Sequence, residues 1–278
     1  MPVHHYLVRP RHLAGGGDLT YVTAYLVGAG WKNRTPKAGS PICFEDPDRS
    51  VRITYTAQAS TPSWIVSGAP ADRPSWTASI GGTVPVEILG AFTDALAGPR
   101  PTHAPDVLGR ATAHGWARGK GEHPSAGHPN GTALLQYRND GDISLWWATA
   151  HTPGTAEPHA PLPPLWHAAF SEHTPLHAVE AFAAALADPR PVLRPPGHVP
   201  FGSAAHTTAT DYPVLPSQLA AIRSARAAAG RAAAWARSAS TLGYRRRHGA
   251  LLTRHPIRQA VPPQPPAPPL LAHPPRSQ

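Results

Sequence analysis

Cysteine is almost absent from this chain: Cys43 is the single one in 278 residues, which excludes an internal disulfide and a multi-cysteine zinc site. It sits in the strand-like run Ile42-Cys43-Phe44. A small buried hydrophobe is the simplest reading there, since a catalytic thiol would need an activating base beside it. Long apolar runs are missing as well. None approaches the ~18 residues that a membrane span requires, and residues 1–6 lack the basic-then-apolar pattern of a secretory leader. The expectation is a cytoplasmic protein with no membrane partner. Charge is scarce, at 15% of residues, and unevenly placed. Residues 1–204 hold 15 basic and 15 acidic side chains, whereas residues 205–278 hold ten Arg and one acid, Asp211. The whole net charge of +9 belongs to the C-terminal quarter.

Familiar catalytic patterns are also lacking. The chain has 17 histidines, but His103, His114, His123, His128, His151 and His159 are scattered through Pro/Gly-rich loops without metal-ligand spacing. His173 and His177 are four apart, yet Thr174-Pro175 starts a helix between them and leaves His173 outside it. Gly15-Gly16-Gly17 has no Gly-Lys-Ser/Thr ending, so it reads as a turn into a helix capped by Asp18 rather than a phosphate loop. Asp46, Asp48, Asp140 and Asp142 sit beside Pro, Asn or Gly, where short polar side chains close turns. No Gly-x-Ser-x-Gly elbow is present. These readings assign no catalytic, cofactor-binding or metal residue, no cofactor, and no enzymatic activity.

What the chain does contain is an internal repeat. Residues 76–101 and 166–191, at a fixed offset of 90, share 11 identities in 26 positions. They include Trp76/Trp166, Pro85/Pro175, Phe92/Phe182, Leu96/Leu186 and a closing Pro-Arg-Pro. Upstream, Gly30-Trp31 matches Gly115-Trp116, and Tyr55 and Trp64 match Tyr137 and Trp146, with offsets shifted by loops of unequal length. Each copy is about 85–90 residues, enough for a small core of its own or a shared one.

One copy reads as a short helix, an antiparallel meander and a longer helix. Asp18-Leu19-Thr20 caps a helix ending near Gly28 and Gly30. Residues 50–56 alternate apolar and polar side chains, the period of a half-buried strand, and residues 63–67 and 75–80 are further strands between turns. Pro85 then opens a helix in which Val86, Leu89, Phe92, Ala95 and Leu96 form an apolar stripe. Gly98-Pro99 stops it. In the second copy, Asn139-Asp140-Gly141-Asp142 is a hairpin turn. The fold class is α+β: two tandem repeats of this unit, then a basic helix and a disordered tail. Domains are expected at 1–101 and 102–194, a linker at 195–215, the basic helix at 216–248 and the Pro-rich tail at 249–278.

The run Pro10-Arg11-His12-Leu13-Ala14-Gly15-Gly16-Gly17-Asp18, the Gly-Trp steps, the Trp-bearing strands and the Thr-Pro or Val-Pro helices ending in Ala-Leu-Ala together resemble the SPDY family, domain of unknown function 317. The resemblance covers roughly residues 6–194. It implies two domain copies, as in streptomycete-like actinobacteria, and carries no established activity. Where the family name suggests Ser-Pro-Asp-Tyr, the first copy has Asp46-Pro47-Asp48-Arg49, and the second has no clear equivalent near Pro129-Asn130-Gly131.

Two surface candidates stand out. Trp31, Trp64, Trp76, Trp116, Trp146 and Trp166 recur in both copies, as core anchors do after duplication. Trp147 has no counterpart, and beside Trp146 on a strand it faces the other way, which makes it the candidate exposed aromatic contact. Residues 216–240 are rich in Ala and favour a helix. On it Arg223, Arg226, Arg231 and Arg237 share an arc of about 140°, with Ala225, Ala232 and Ala236 opposite; Arg245, Arg246 and Arg247 follow. This segment reads as a solvated helix docked by its alanines, or as a contact for nucleic-acid phosphates or an acidic partner. A membrane role is disfavoured by the small residues opposite the arginines. After Ala260 there are eight Pro in 18 residues, a polyproline-like tail. The leading expectation is a non-enzymatic binding or scaffold protein with a protein partner. The alternative is non-specific nucleic-acid association through the arginine-rich C-terminus.

Overall fold

A computed structural model describes residues 1–57, 63–152 and 164–252, with side chains up to residue 240. In chain order the elements are β1 (Tyr6–Arg9), α1 (Thr20–Gly28), β2 (Lys32–Asn33), β3 (Ile42–Glu45), β4 (Val51–Thr56), β5 (Ser63–Gly68), β6 (Trp76–Gly81) and α2 (Val86–Ala97). The second half repeats the pattern with α3 (Val107–Ala113), β7 (Ala117–Arg118), β8 (Ser125–Gly127), β9 (Ala133–Asn139), β10 (Ser144–Ala150), β11 (Trp166–Ser171) and α4 (Leu176–Ala187). Then come β12 (Val192–Arg194), β13 (Thr208–Asp211) and α5 (Pro216–Leu252). Each half is thus helix, five antiparallel strands, helix, and the fold is α+β.

The halves do not form separate domains. Their meanders join edge to edge into one ten-stranded antiparallel sheet, ordered β2-β3-β4-β5-β6-β11-β10-β9-β8-β7. At the seam Ala168 pairs with Ile80, Ala169 with Ser79 and Phe170 with Ala78. At the repeat offset of 90, Ser79 is the counterpart of Ala169, and the flanking pairs exchange partners. A local two-fold axis therefore passes through the Ser79–Ala169 pair. Sealing β6 against β11 removes two sheet edges that would otherwise stay open.

The strands alternate. Trp64 and Val66, Trp76, Ala78 and Ile80, then Trp166, Ala168 and Phe170 are all buried on one face, where the helices lie. The helices bring the matching stripe: Ile88, Leu89 and Phe92 on α2, Val179, Phe182 and Leu186 on α4, all at most 1% exposed. Phe170 bridges the halves, with ring centroids 5.1 Å from Phe92 across the seam and 4.9 Å from Phe182, the latter edge-on. One hydrophobic core results, running through both halves. The compact unit is Met1–Ser240, so the boundary expected at 101/102 marks a repeat, not a domain division.

The linker expected at 195–215 is also folded. β13 pairs with β1, which pairs on its other side with β12, giving a second, three-stranded sheet. Residues 192–211 thereby tie the chain start to the end of the second half. Their strands are three or four residues long, too short for alternation to register. Arg194 closes this junction: 1% exposed as a side chain, it binds Glu87 of α2 through both terminal nitrogens at 2.8 Å and donates to the carbonyls of Ala14 and Gly15. The Gly16 carbonyl accepts from Val86 N–H at the start of α2. Two of the three carbonyls of the triple-glycine segment, those of Gly15 and Gly16, are thus spent on this joint.

Candidate binding surface

All four repeat helices share one face of the large sheet with the core. Among the described residues nothing covers the other face. Its side chains are the alternate positions of the strands, among them Arg52 and Thr54 on β4, Ile65 and Ser67 on β5, Thr77 and Ser79 on β6, His167 and Ala169 on β11, Leu145, Trp147 and Thr149 on β10, and Leu134, Gln136 and Arg138 on β9. Hydroxyl-bearing side chains are the most frequent, as suits a solvated antiparallel face. Ile65 is 39% exposed. Trp147 lies on this face as expected from its pairing with Trp146, but it is half-buried rather than free. Its ring stacks on His167 of the neighbouring strand, at 5.2 Å and 5° between planes. The two are diagonal partners, since Trp147 pairs with Ala169 and Thr149 with His167. Trp146 faces the core beside Tyr137, as Trp64 does beside Tyr55.

The arginine helix is oriented opposite to the alanine-docked reading. Ala225, Ala232 and Ala236 are exposed, and the arginine side faces the body. Arg226 forms a two-pronged ion pair with Asp94 of α2, at 2.6 and 2.7 Å, and donates to the Tyr21 carbonyl. Its guanidinium lies over the rings of Tyr21 and Tyr25, at 4.1 and 4.7 Å. Burial works against its charge, and the Asp94 hydrogen bonds and charge outweigh that, leaving the Arg226 pKa above its ordinary value. Arg223 pairs with Asp18 at 3.1 Å, and Arg237 donates to the Ala29 carbonyl at 2.7 Å. Backbone approach is close: a Cβ on Gly230 would overlap the Tyr25 carbonyl, and one on Gly28 the Ala227 carbonyl. The physical reason for the reversal is that arginine satisfies carbonyls, carboxylates and aromatic faces at once, which a row of alanines cannot do. Of the candidate phosphate contacts, Arg223, Arg226 and Arg237 are engaged with the body and Arg231 is exposed. Arg245, Arg246 and Arg247 lie in α5 beyond the described side chains, and the tail from 253 lies outside the described residues.

Other groups were not legible as a set. Trp235 on α5 is 79% exposed, the most solvent-facing tryptophan among the described residues, where Trp147 was the expected one. His12 is 2% exposed. Its Nε2 is 2.8 Å from Thr132 Oγ1, which in turn is 3.1 Å from His128 Nδ1. Burial first, then the neighbouring His128 and His151, push the His12 pKa down to about 3. The Pro10-to-Asp18 run hinted at an ordered segment without naming its partners, which lie over a hundred residues away. Glu180 on α4, also buried, accepts from Arg110 Nε at 2.9 Å and from the Asp106 N–H, with His103 Nε2 3.2 Å away. Burial opposes its charge, and these contacts overcome it, holding the Glu180 pKa below the usual carboxylate value. The one signal for the α5 contact was Gly230: a glycine inside an alanine-rich helix costs stability unless close packing requires it.

The Asp46-Pro47-Asp48-Arg49 segment is a structural turn before β4. Asp46 accepts from the Val51 N–H at 2.9 Å and the Ser50 hydroxyl at 3.0 Å, and Arg49 takes φ 59. Among the described residues no three His, Cys, Asp or Glu side chains are grouped to hold a metal ion, and no helix is long and apolar enough to cross a membrane. No curated protein and no solved structure matches the chain. A family model does, twice: it matches residues 45–102 and 128–192, which run from the meander through the second helix in each half. The two regions that match the model of the SPDY family, domain of unknown function DUF317, lie one on each side of the sheet seam.

Proposed function

We propose that this is a non-enzymatic binding protein of the cytoplasm, and that the uncovered face of the ten-stranded sheet is its contact surface for a protein partner. The observation that carries this is the joined sheet itself, with every repeat helix on one side and nothing among the described residues on the other. Ten strands at about 4.8 Å spacing, with central strands of about 20 Å, give a face on the order of 800 Å². That equals about one side of a standard protein–protein interface. Its chemistry fits a protein better than a nucleic acid. Hydroxyls are the commonest groups, Ile65, Leu134, Leu145 and the Trp147–His167 stack supply apolar anchors, and cations are sparse, where phosphate binding would call for many. The arginine helix supports the same preference, because three of its arginines are spent on the body.

The test is affinity capture from native lysate with the intact chain, with and without nuclease. Ile65→Glu and Trp147→Glu on the sheet face are compared with Leu176→Glu, an exposed position at the start of α4. Capture that survives nuclease and Leu176→Glu but is lost in both sheet variants is the expected result. Capture abolished by nuclease, or indifferent to the sheet variants, would overturn the reading.

A further inference from the structure

The two halves are most alike in their cores and most unlike in one surface groove. Residues of α1 correspond to α3 at an offset of 85, because Trp31 N–H bonds to the Leu26 carbonyl as Trp116 N–H bonds to that of Ala111. Residues of α2 correspond to α4 at an offset of 90. The groove between α1 and α2, which α5 fills, therefore has a counterpart between α3 and α4. Among the described residues no element occupies that counterpart. A pocket of about 260 Å³ lies there, walled by alanines and prolines, with His103, His177 and the Arg110–Glu180 pair as its polar groups.

Position by position, the polar design is inverted. Asp94, the carboxylate that receives Arg226, becomes Ala184. Tyr25, over which Arg226 lies, becomes Arg110, and Tyr21, the other ring beneath it, becomes Asp106, whose carboxylate accepts from the Gly109 N–H at the start of α3. Gly90, where an added Cβ would come within 3.4 Å of Arg226, becomes Glu180. In the first groove the cation arrives on the incoming helix and the acid waits in the body. In the second, the body supplies the cation. Glu180 engages Arg110 through Nε alone. Neither terminal nitrogen of Arg110 has a hydrogen bond to another described residue, and its side chain is 51% exposed. A guanidinium fixed along its Nε edge at the mouth of an alanine- and proline-walled pocket is prepared to receive a carboxylate on its free edge.

We infer that the α3–α4 groove is a docking site for a helix of a partner protein that brings a carboxylate side chain to Arg110. The filled first groove supplies the precedent for a helix at this place in the repeat, seated farther out because Gly28, where a Cβ would overlap the Ala227 carbonyl, becomes Ala113, and the free edge of Arg110 selects the partner. A second copy of this chain is selected against, since its α5 would set Arg226 against Arg110. This surface lies on the helix side of the sheet, so it is independent of the uncovered sheet face.

The test uses the intact chain and two fluorescein-labelled peptides spanning residues 216–240. One is native; the other carries Arg223→Glu, Arg226→Glu, Arg231→Glu and Arg237→Glu. Fluorescence anisotropy at low salt is the readout. The acidic peptide is expected to bind at least tenfold more tightly than the native one. Arg110→Gln should weaken it about tenfold, and Ala184→Trp, which fills the pocket, should abolish binding while circular dichroism stays unchanged. Trp147→Glu should leave it intact. Equal binding of both peptides, no binding of the acidic one, or binding that survives Arg110→Gln and Ala184→Trp would overturn the inference. Competition by free glutarate as effective as that by the unlabelled peptide would also overturn it, by making the pocket a small-carboxylate site.

Discussion

The α1–α2 and α3–α4 grooves occupy equivalent places in the two halves, yet one is closed by the chain's own helix and the other is not. Beneath them the architecture has hardly moved. Trp76 and Trp166 open paired strands, Phe92 and Phe182 anchor paired helices, and Gly30 and Gly115 both take positive φ before a buried tryptophan. The difference lies on the outer helix surface, where Asp94 has become Ala184 and Gly90 has become Glu180. A duplicated core is held to its shape by packing, because any change of volume is felt by all its neighbours. Groove residues answer only to what docks there, so they are free to diverge. The comparison also separates the two sides of the molecule: the helix side carries the asymmetry, and the sheet face is continuous across both halves.

The sharpest way to break the comparison is to ask whether the halves are one cooperative unit. Phe92 and Phe182 are fully buried and both contact Phe170, Phe92 from across the seam and Phe182 from the same half. Phe92→Ala or Phe182→Ala should each cost about 3–5 kcal/mol. Because the core is shared, each should lower a single denaturant transition of residues 1–240. Two separated transitions, with only one of them moved, would mean that the halves fold apart.

A smaller effect is expected at the filled groove. Asp94→Ala leaves Arg226 partly buried without its carboxylate, which should cost about 2–3 kcal/mol. Arg223→Ala breaks a pair that is more than half exposed and should cost at most about 1 kcal/mol. Hydrogen exchange localises the loss: Asp94→Ala should speed exchange in residues 219–237 far more than in α4. Equal effects of the two substitutions would mean that Arg226 is not the lock.

The smallest is a pH effect at the junction of the chain start with the second half. His12 is neutral in the fold, with its pKa lowered from 6.5 to about 3 by burial and by His128 and His151. Below pH 6.5 the unfolded chain therefore takes up a proton that the folded chain refuses. Stability conferred by His12 is present above pH 6.5 and lost as pH falls towards 3, with a slope of at most about 1.4 kcal/mol per pH unit. Between pH 6.5 and 5, most carboxylates remain ionised and do not obscure it. Urea unfolding across that interval should show a shallower pH slope for His12→Gln than for the natural chain. An unchanged slope would locate the proton uptake elsewhere.

Much of each repeat was legible because it is local. The stripe Leu89, Phe92, Leu96 has helical period, Val51, Ile53 and Tyr55 have strand period, and Asn139-Asp140-Gly141-Asp142 makes the turn between β9 and β10. What was not legible is non-local. Nothing in residues 76–81 or 166–171 announces that these strands pair with each other, because a strand interior to a sheet and one at its edge alternate in the same way. The small sheet of β1, β12 and β13 depends on segments almost 200 residues apart. On α5 the helix and the arginine arc were readable, but the arc was assigned to solvent or phosphate. Its true partners, Asp94 and the Tyr21 and Tyr25 rings, look in sequence like ordinary surface positions. The sheet face was invisible for the same reason: it exists only once the two meanders are joined.

That joined face is the account's central claim, and oxidative footprinting tests it most directly. Hydroxyl-radical labelling of the intact chain, alone and with its captured partner, reports on Trp147 and His167 on the sheet face and on Trp235 and His103 on the helix side. The account predicts that labelling of Trp147 and His167 falls several-fold in the complex while that of Trp235 is unchanged. Loss of labelling at Trp235 with Trp147 and His167 unaltered would contradict it.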